Sequence, residues 1–118
     1  MNRITIIGNL TRDPELRTTS NGIPVCSMTV AVNRRRRAQE AQETDYFSVT
    51  TWRQMAESCA QYLAKGKRVA VSGTVSMRTY EGRDGRLHAS LEIQADEVEF
   101  LTPRTAGTYD GQPQDYTE

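Results

Sequence analysis

The stretch Thr44-Asp45-Tyr46-Phe47-Ser48-Val49-Thr50-Thr51-Trp52 alternates apolar and polar residues as a half-buried β-strand does. Phe47, Val49 and Thr51 fall on one face, and Tyr46, Ser48, Thr50 and Trp52 fall on the other. The first face suits a core. The second holds two large rings among hydroxyl side chains, which is not where core packing would put them. Immediately downstream, Thr51-x-x-Gln54 has the spacing of a capping box, and Met55, Cys59, Tyr62 and Leu63 then recur at helical spacing. Gly66 is a natural helix stop. From Arg68 the alternation resumes, with Val69, Val71, Gly73, Val75 and Met77 expected inside. Ala70, Ser72, Thr74, Ser76, Arg78 and Tyr80 are expected outside. Gly82 and Asp84-Gly85 supply a hairpin tip, and Leu87 to Leu101 returns as a last strand.

Upstream, Arg3 to Gly8 is a short apolar run that reads as a first strand. Asp13-Pro14 marks a turn, and Glu15 to Thr19 can form a brief strand closed by Asn21-Gly22. Cys26, Met28, Val30 and Val32 then alternate with Ser27, Thr29, Ala31 and Asn33. Arg34 to Glu43 has no apolar periodicity and is expected to be a mobile loop. Three strands, one helix and a long two-stranded hairpin is the order of an all-β OB-fold. That fold is a five-stranded Greek-key barrel with one helix between strands 3 and 4. Residues 1–102 are expected to form it, and 103–118, with no apolar pattern, to be a disordered C-terminal tail.

At 118 residues the chain has room for one domain with a modest core, which oligomerisation would help to cover. Its formal net charge is zero, so composition alone does not point to nucleic acid. Distribution does. Fourteen of the 15 basic residues precede Pro103, against 12 acids, and the segment from Arg104 carries a net −2. Most of the positive charge is guanidinium, whose planar fork both hydrogen-bonds phosphate and stacks on bases. Cys26 and Cys59 fit neither a metal spacing nor a disulfide framework, and both are expected to be buried and reduced. Met1 leads straight into strand-like sequence without a signal peptide or a membrane-length apolar run, so a cytoplasmic protein is expected.

Material for catalysis is poor. His88 is the one histidine, and no phosphate loop, metal-ligand cluster or nucleophile signature is present. Asp96, Glu97 and Glu99 suggest a metal site, but adjacent positions of a regular strand face opposite ways. A solvated strand end explains them better. No enzyme activity and no cofactor are expected.

The aromatics are more informative. Tyr46, Trp52 and Tyr80 lie on the polar phase of their strands, in company with Ser, Thr and Arg. A base stacked on such a ring contributes about 1–3 kcal/mol, and every base has a face to stack. Arg34, Arg35, Arg36 and Arg37 form one basic run, Arg78 shares its face with Tyr80, and Arg83 and Arg86 sit in the hairpin tip. Like charges gathered on one barrel repel unless a polyanion lies between them.

These residues resemble a known family. Met1-Asn2-Arg3-Ile4-Thr5-Ile6-Ile7-Gly8-Asn9-Leu10-Thr11-Arg12-Asp13-Pro14-Glu15-Leu16-Arg17 is similar to the opening of bacterial single-stranded DNA-binding proteins. So are Asn21-Gly22, Thr44-Asp45-Tyr46, Tyr62-Leu63-Ala64-Lys65-Gly66 and Val71-Ser72-Gly73, in the family's order. The resemblance implies an OB-fold protomer that assembles as a homotetramer and wraps single-stranded DNA in replication, recombination and repair, at the nucleoid. It implies stacking on Tyr46, Trp52 and Tyr80, and basic contacts from Arg3, Arg17, Lys65 and Arg78. A fourth stacking ring, usual in the loop after the second strand, has no counterpart; Arg34 to Arg37 stand there, so guanidinium planes would do the stacking. The family's usual ending, acids followed by a Pro-Phe tip that recruits replication and repair proteins, is not matched by Pro113-Gln114-Asp115-Tyr116-Thr117-Glu118. A specialised or mobile-element relative is therefore a plausible expectation. The alternative function is an OB-fold protein-interaction module of a primosome-like assembly, and a nuclease on the same fold is the weakest reading.

Overall fold

A computed structural model describes residues 1–35 and 41–101. The expected C-terminal tail, together with Arg36 and Arg37, lies outside the described residues. The elements are β1 (Arg3–Leu10), β2 (Glu15–Thr18), β3 (Pro24–Asn33), β4 (Thr44–Trp52), α1 (Arg53–Tyr62), β5 (Arg68–Glu81) and β6 (Leu87–Phe100). Their order in the sheet is β1-β5-β6-β4-β3-β2, and a further pairing of β1 with β3 joins the two ends. Five strands thus close on themselves, and short β2 hangs on the outside of β3. With β2 set aside, α1 lies between the third and fourth barrel strands, as the alternation had indicated. All neighbours are antiparallel except β4 and β6, which run parallel.

Closure depends on two buried glycines. A Cβ on Gly8 would run into the carbonyl oxygen of Ala31, where β1 crosses to β3. A Cβ on Gly73 would strike the backbone of Gln94 and Ala95. Gly73 lies beside a β-bulge, where the register moves from Ser72–Glu97 to Gly73–Ala95 and leaves Asp96 as the extra residue. Bulges bend and twist a strand, which is what a small barrel needs at its corners.

The inward phase is the one the alternation marks. Met28, Val30, Phe47, Val49, Val69, Val71 and Ile93 fill the barrel, and Ala56 and Cys59 of α1 cover one of its ends. Burial of each large side chain contributes about 1.5–3 kcal/mol. Cys26 and Cys59 are free thiols inside this core, as expected.

Three expectations fail locally. Thr51 does not cap α1: it is fully buried, and the helix starts after Trp52, which makes no side-chain cap. Core burial outweighs capping here. The hydroxyl of Thr51 makes no hydrogen bond of ordinary geometry, with only the weakly donating thiols of Cys26 and Cys59 beside it. The chain instead turns into the helix through Arg53 at φ 61°, a left-handed conformation that costs a non-glycine residue of order 1 kcal/mol. Met77 is not inside but 64% exposed, because β5 and β6 run on past the barrel as a protruding arm. Tyr62 shares the helical spacing but lies exposed, its ring 6.3 Å from that of Phe100. Among the described residues, no helix is long and apolar enough to cross a membrane.

Candidate nucleic-acid interface

The outer face of β3, β4, β6 and β5 is built in rows, because directly paired strand residues point the same way. One row runs Thr29, Ser48, Glu92, Ser76. The next runs Ser27, Thr50, Gln94, Thr74 and continues to Arg3 on β1. Tyr46 and Trp52 stand near the two ends of β4 on this face, 62% and 41% exposed. Tyr80 stands on the arm, 46% exposed. The barrel brings the three expected rings onto one polar surface.

Each ring has a different setting. Trp52 Nε1 donates to Gln94 Oε1 at 2.9 Å, so its indole is held by its edge while the residue stays well exposed. The Tyr80 ring stacks on the His88 imidazole, with centroids 5.5 Å apart and planes 23° from parallel. The Arg78 guanidinium lies 5.8 Å from the Tyr80 centroid, within cation–π range. Tyr46 is the most exposed of the three.

The basic residues divide into two groups. Arg3 makes a forked bond to Asp96, at 2.7 and 3.0 Å. Arg34 grips Asp45 at 3.0 and 2.9 Å and Glu43 at 2.7 Å, tying together the two ends of the loop that begins the arginine run. Arg78 Nε donates to Glu92 at 3.0 Å. The bond from Arg3 holds the Asp96 carboxyl below its ordinary range, and the bond from Arg34 does the same for Asp45. All three guanidiniums are exposed, so solvent screens these pairs. Arg17, by contrast, donates to Ser27 Oγ at 3.0 Å and carries its charge onto the face. Arg35, Lys65 and Arg86 are exposed and form no salt bridge among the described residues. Lys65 sits in the turn after α1, where its backbone N–H donates to Asp13, and Arg86 sits in the hairpin tip. Alternation places Arg78 on the face, and Arg3, named from the family resemblance, joins it through its pairing with Thr74, but neither signal tells of Asp96 or Glu92 as partners. Cross-strand register brings those two carboxylates to them. Gln94 and His88 are further parts of this face; strand phase sets both opposite Leu87, Leu91 and Ile93, but not which ring each meets.

No group of three His, Cys, Asp or Glu side chains among the described residues could hold a metal ion. The strand is not regular at Asp96, contrary to the expectation of strictly alternating positions there. There the bulge turns Asp96 to Arg3, and Glu97 is near enough to add to the field at the same guanidinium.

Residues 1–101 match the Single-strand binding protein family. This chain belongs to that family. The "Single-stranded DNA-binding protein" of Bacillus cereus is 44% identical over 108 residues, 91% of this chain and 64% of the relative. "Single-stranded DNA-binding protein A" of Bacillus subtilis is 42% identical over 108 residues, 91% of this chain and 63% of the relative. The Caldanaerobacter subterraneus protein of the first name is 42% identical over 106 residues, 89% of this chain and 71% of the relative. The chain thus spans about two thirds of the length of these relatives. Membership in the single-strand binding family carries the OB-fold with it, in agreement with the closed five-stranded barrel. The family description and these relatives' names describe binding proteins for single strands, in agreement with the expectation of a binding protein.

Proposed function

We propose that this chain binds single-stranded DNA without strong sequence preference, through residues 1–102. Replication, recombination and repair are the settings the family resemblance suggests, in the cytoplasm at the nucleoid. The observation that carries the reading is the exposure of Tyr46 and Trp52 on a hydroxyl-rich barrel face and of Tyr80, in the same strand phase, on the arm that continues it. Bases stack on these rings, and stacking gives affinity without reading sequence. Arg17 and Lys65 offer charge to phosphates, as do Arg35 and Arg86, with Arg36 and Arg37 completing the basic run. Arg3, Arg34 and Arg78 serve the same strand by exchanging a carboxylate for a phosphate.

The working form is a homotetramer. Two observations support assembly: between Arg3 and Gly8, β1 pairs with β5 on one side and with no strand on the other among the described residues, and Ile7 is 48% exposed there. An open edge with an apolar side chain is a template for another chain. Mass measurement in solution should find four copies, and a monomer at micromolar concentration would refute the assembly.

Trp52 is the one tryptophan, so its fluorescence reports on the face directly. Titration with oligo-dT should quench it, and added salt should weaken binding strongly. Absence of quenching, or equal preference for duplex, overturns the reading. Tyr80→Ala should weaken binding by about 1–3 kcal/mol.

A further inference from the structure

The arm formed by the outer halves of β5 and β6 carries a chain of contacts that none of the expected site residues explains. His88 pairs across the hairpin with Tyr80. The two rings lie 23° from parallel with centroids 5.5 Å apart, a separation at which rings are offset rather than eclipsed. Each leaves much of its surface to solvent: Tyr80 is 46% exposed and the His88 side chain 42%. The imidazole is also held from a second direction. Its Nε2 lies 3.1 Å from Asp84 Oδ1, and that oxygen accepts the Arg86 backbone N–H at 2.9 Å. On another side lies Gly82, where a Cβ would fall 2.5 Å from His88 Cδ2 and 2.6 Å from Nε2.

A surface imidazole needs no such support to be stable in water. Two contacts on one exposed ring, with Tyr80 and with Asp84, fix its plane, and Gly82 leaves the room it occupies. The cost of ordering a side chain is then met before any ligand arrives, which is how preorganised sites gain affinity. Gly82 has a further reason to be glycine, since any larger residue would push the ring out of its place.

We propose that Tyr80 and His88 form one two-ring platform that seats bases of the single strand, with His88 a DNA-contacting residue in its own right. The proposal rests on the reading of the barrel face as a single-strand site, and it extends that site along the arm beyond Tyr80. Offset rings present a wider apolar surface than one phenol, suited to a purine or to two successive pyrimidines. Asp84 and Gly82 act as positioning residues. They touch His88, not the DNA.

The test uses the full chain and fluorescently labelled oligo-dT and oligo-dA, with affinity read by anisotropy at one salt concentration. His88→Ala should weaken binding by about five- to tenfold, toward the low end of what a stacked base contributes. His88→Phe keeps an aromatic plane and should stay within about twofold of the unaltered chain. Gly82→Ala leaves His88 in the sequence but displaces its ring, and it should weaken binding too. In a double-mutant cycle, Gly82→Ala should add nothing once His88 is alanine, since both changes remove the same contact. If His88→Ala binds as the unaltered chain does, or if Gly82→Ala and His88→Ala are additive, the platform is refuted while the barrel site stands. If the unaltered chain fails to bind either oligonucleotide, the barrel-face reading falls and the platform falls with it.

Discussion

Glu92 stands in the middle of a face that also carries Tyr46, Trp52 and Arg78, and its carboxylate is the feature least suited to a polyanion. It is bonded to Arg78 and about one third exposed. A phosphate near Arg78 must compete with it, and ion exchange of one anion for another releases less free energy than filling an open site. Glu92→Gln keeps the size and an acceptor oxygen for Arg78 while removing the charge. Affinity for oligo-dT should rise severalfold, and the logarithmic salt slope should steepen by about 0.7, one phosphate's worth on single strands. Anisotropy titrations at several salt concentrations check both, and no change in either would place Glu92 outside the path of the strand. The thiols predict the opposite kind of behaviour, silence. Burial first, and then the neighbouring Cys26, push the Cys59 thiol up to about 11, and burial also raises Cys26. The thiolate is the reactive form, so a raised value means less of it at any given pH. Iodoacetamide near pH 8 should leave both cysteines unlabelled in the native protein and label both in denaturant, as read by mass.

At the scale of elements, the bulge where β5 meets β6 joins fold and site. It bends the sheet toward closure, and it sets Asp96 against Arg3. Gly73→Ala places a methyl group against the backbone of Gln94 and Ala95, neither of which can yield as a side-chain end would. The expected cost is about 1–3 kcal/mol, the range for overpacking. Thermal unfolding would show it as a fall of about 4–8 °C per kcal/mol for a domain of this size. Oligo-dT affinity should fall with it, because Gln94 also holds Trp52. A variant that melts like the unaltered chain would show that the barrel closes without the glycine. The strands themselves were legible from alternation, with β4 the clearest case: Phe47, Val49 and Thr51 are buried and Tyr46 and Trp52 are exposed. Where a local signal misled, whether the capping-box spacing at Thr51 or the alternation at Met77, the tertiary structure had overridden it. Thr51 went to the core rather than to the helix cap, and Met77 was carried past the end of the barrel.

Across the whole molecule, exposed ion pairs tie elements distant in sequence: Arg3 with Asp96, Arg34 with Asp45 and Glu43, Arg78 with Glu92. The carboxyls of Asp45 and Asp96 are lowered by their arginines, and that of Asp84 by the Arg86 backbone N–H and then by His88. Groups lowered in the folded state stabilise it above their unfolded values, and they lose that contribution as pH falls through the folded ones. The melting temperature should therefore be level from neutral pH to about pH 5 and fall below about pH 4. Asp96→Asn should melt slightly lower than the unaltered chain at neutral pH, and the gap should close in acid. A gap that persists at acid pH would assign the loss to packing instead of charge.

By itself, the sequence determined most strand phases, the place of the helix, and which faces Tyr46, Trp52, Tyr80 and Arg78 occupy. Those properties follow from the two-residue period of a strand and from short-range turn chemistry, both of which are local. Only the tertiary structure decided what stands beside each of them. Gln94 reaches Trp52 because β6 runs parallel to β4, Asp96 reaches Arg3 through a bulge, and His88 reaches Tyr80 across the hairpin. Register between strands far apart in sequence is set by closing the barrel around one core, and no periodicity within a single strand carries that information.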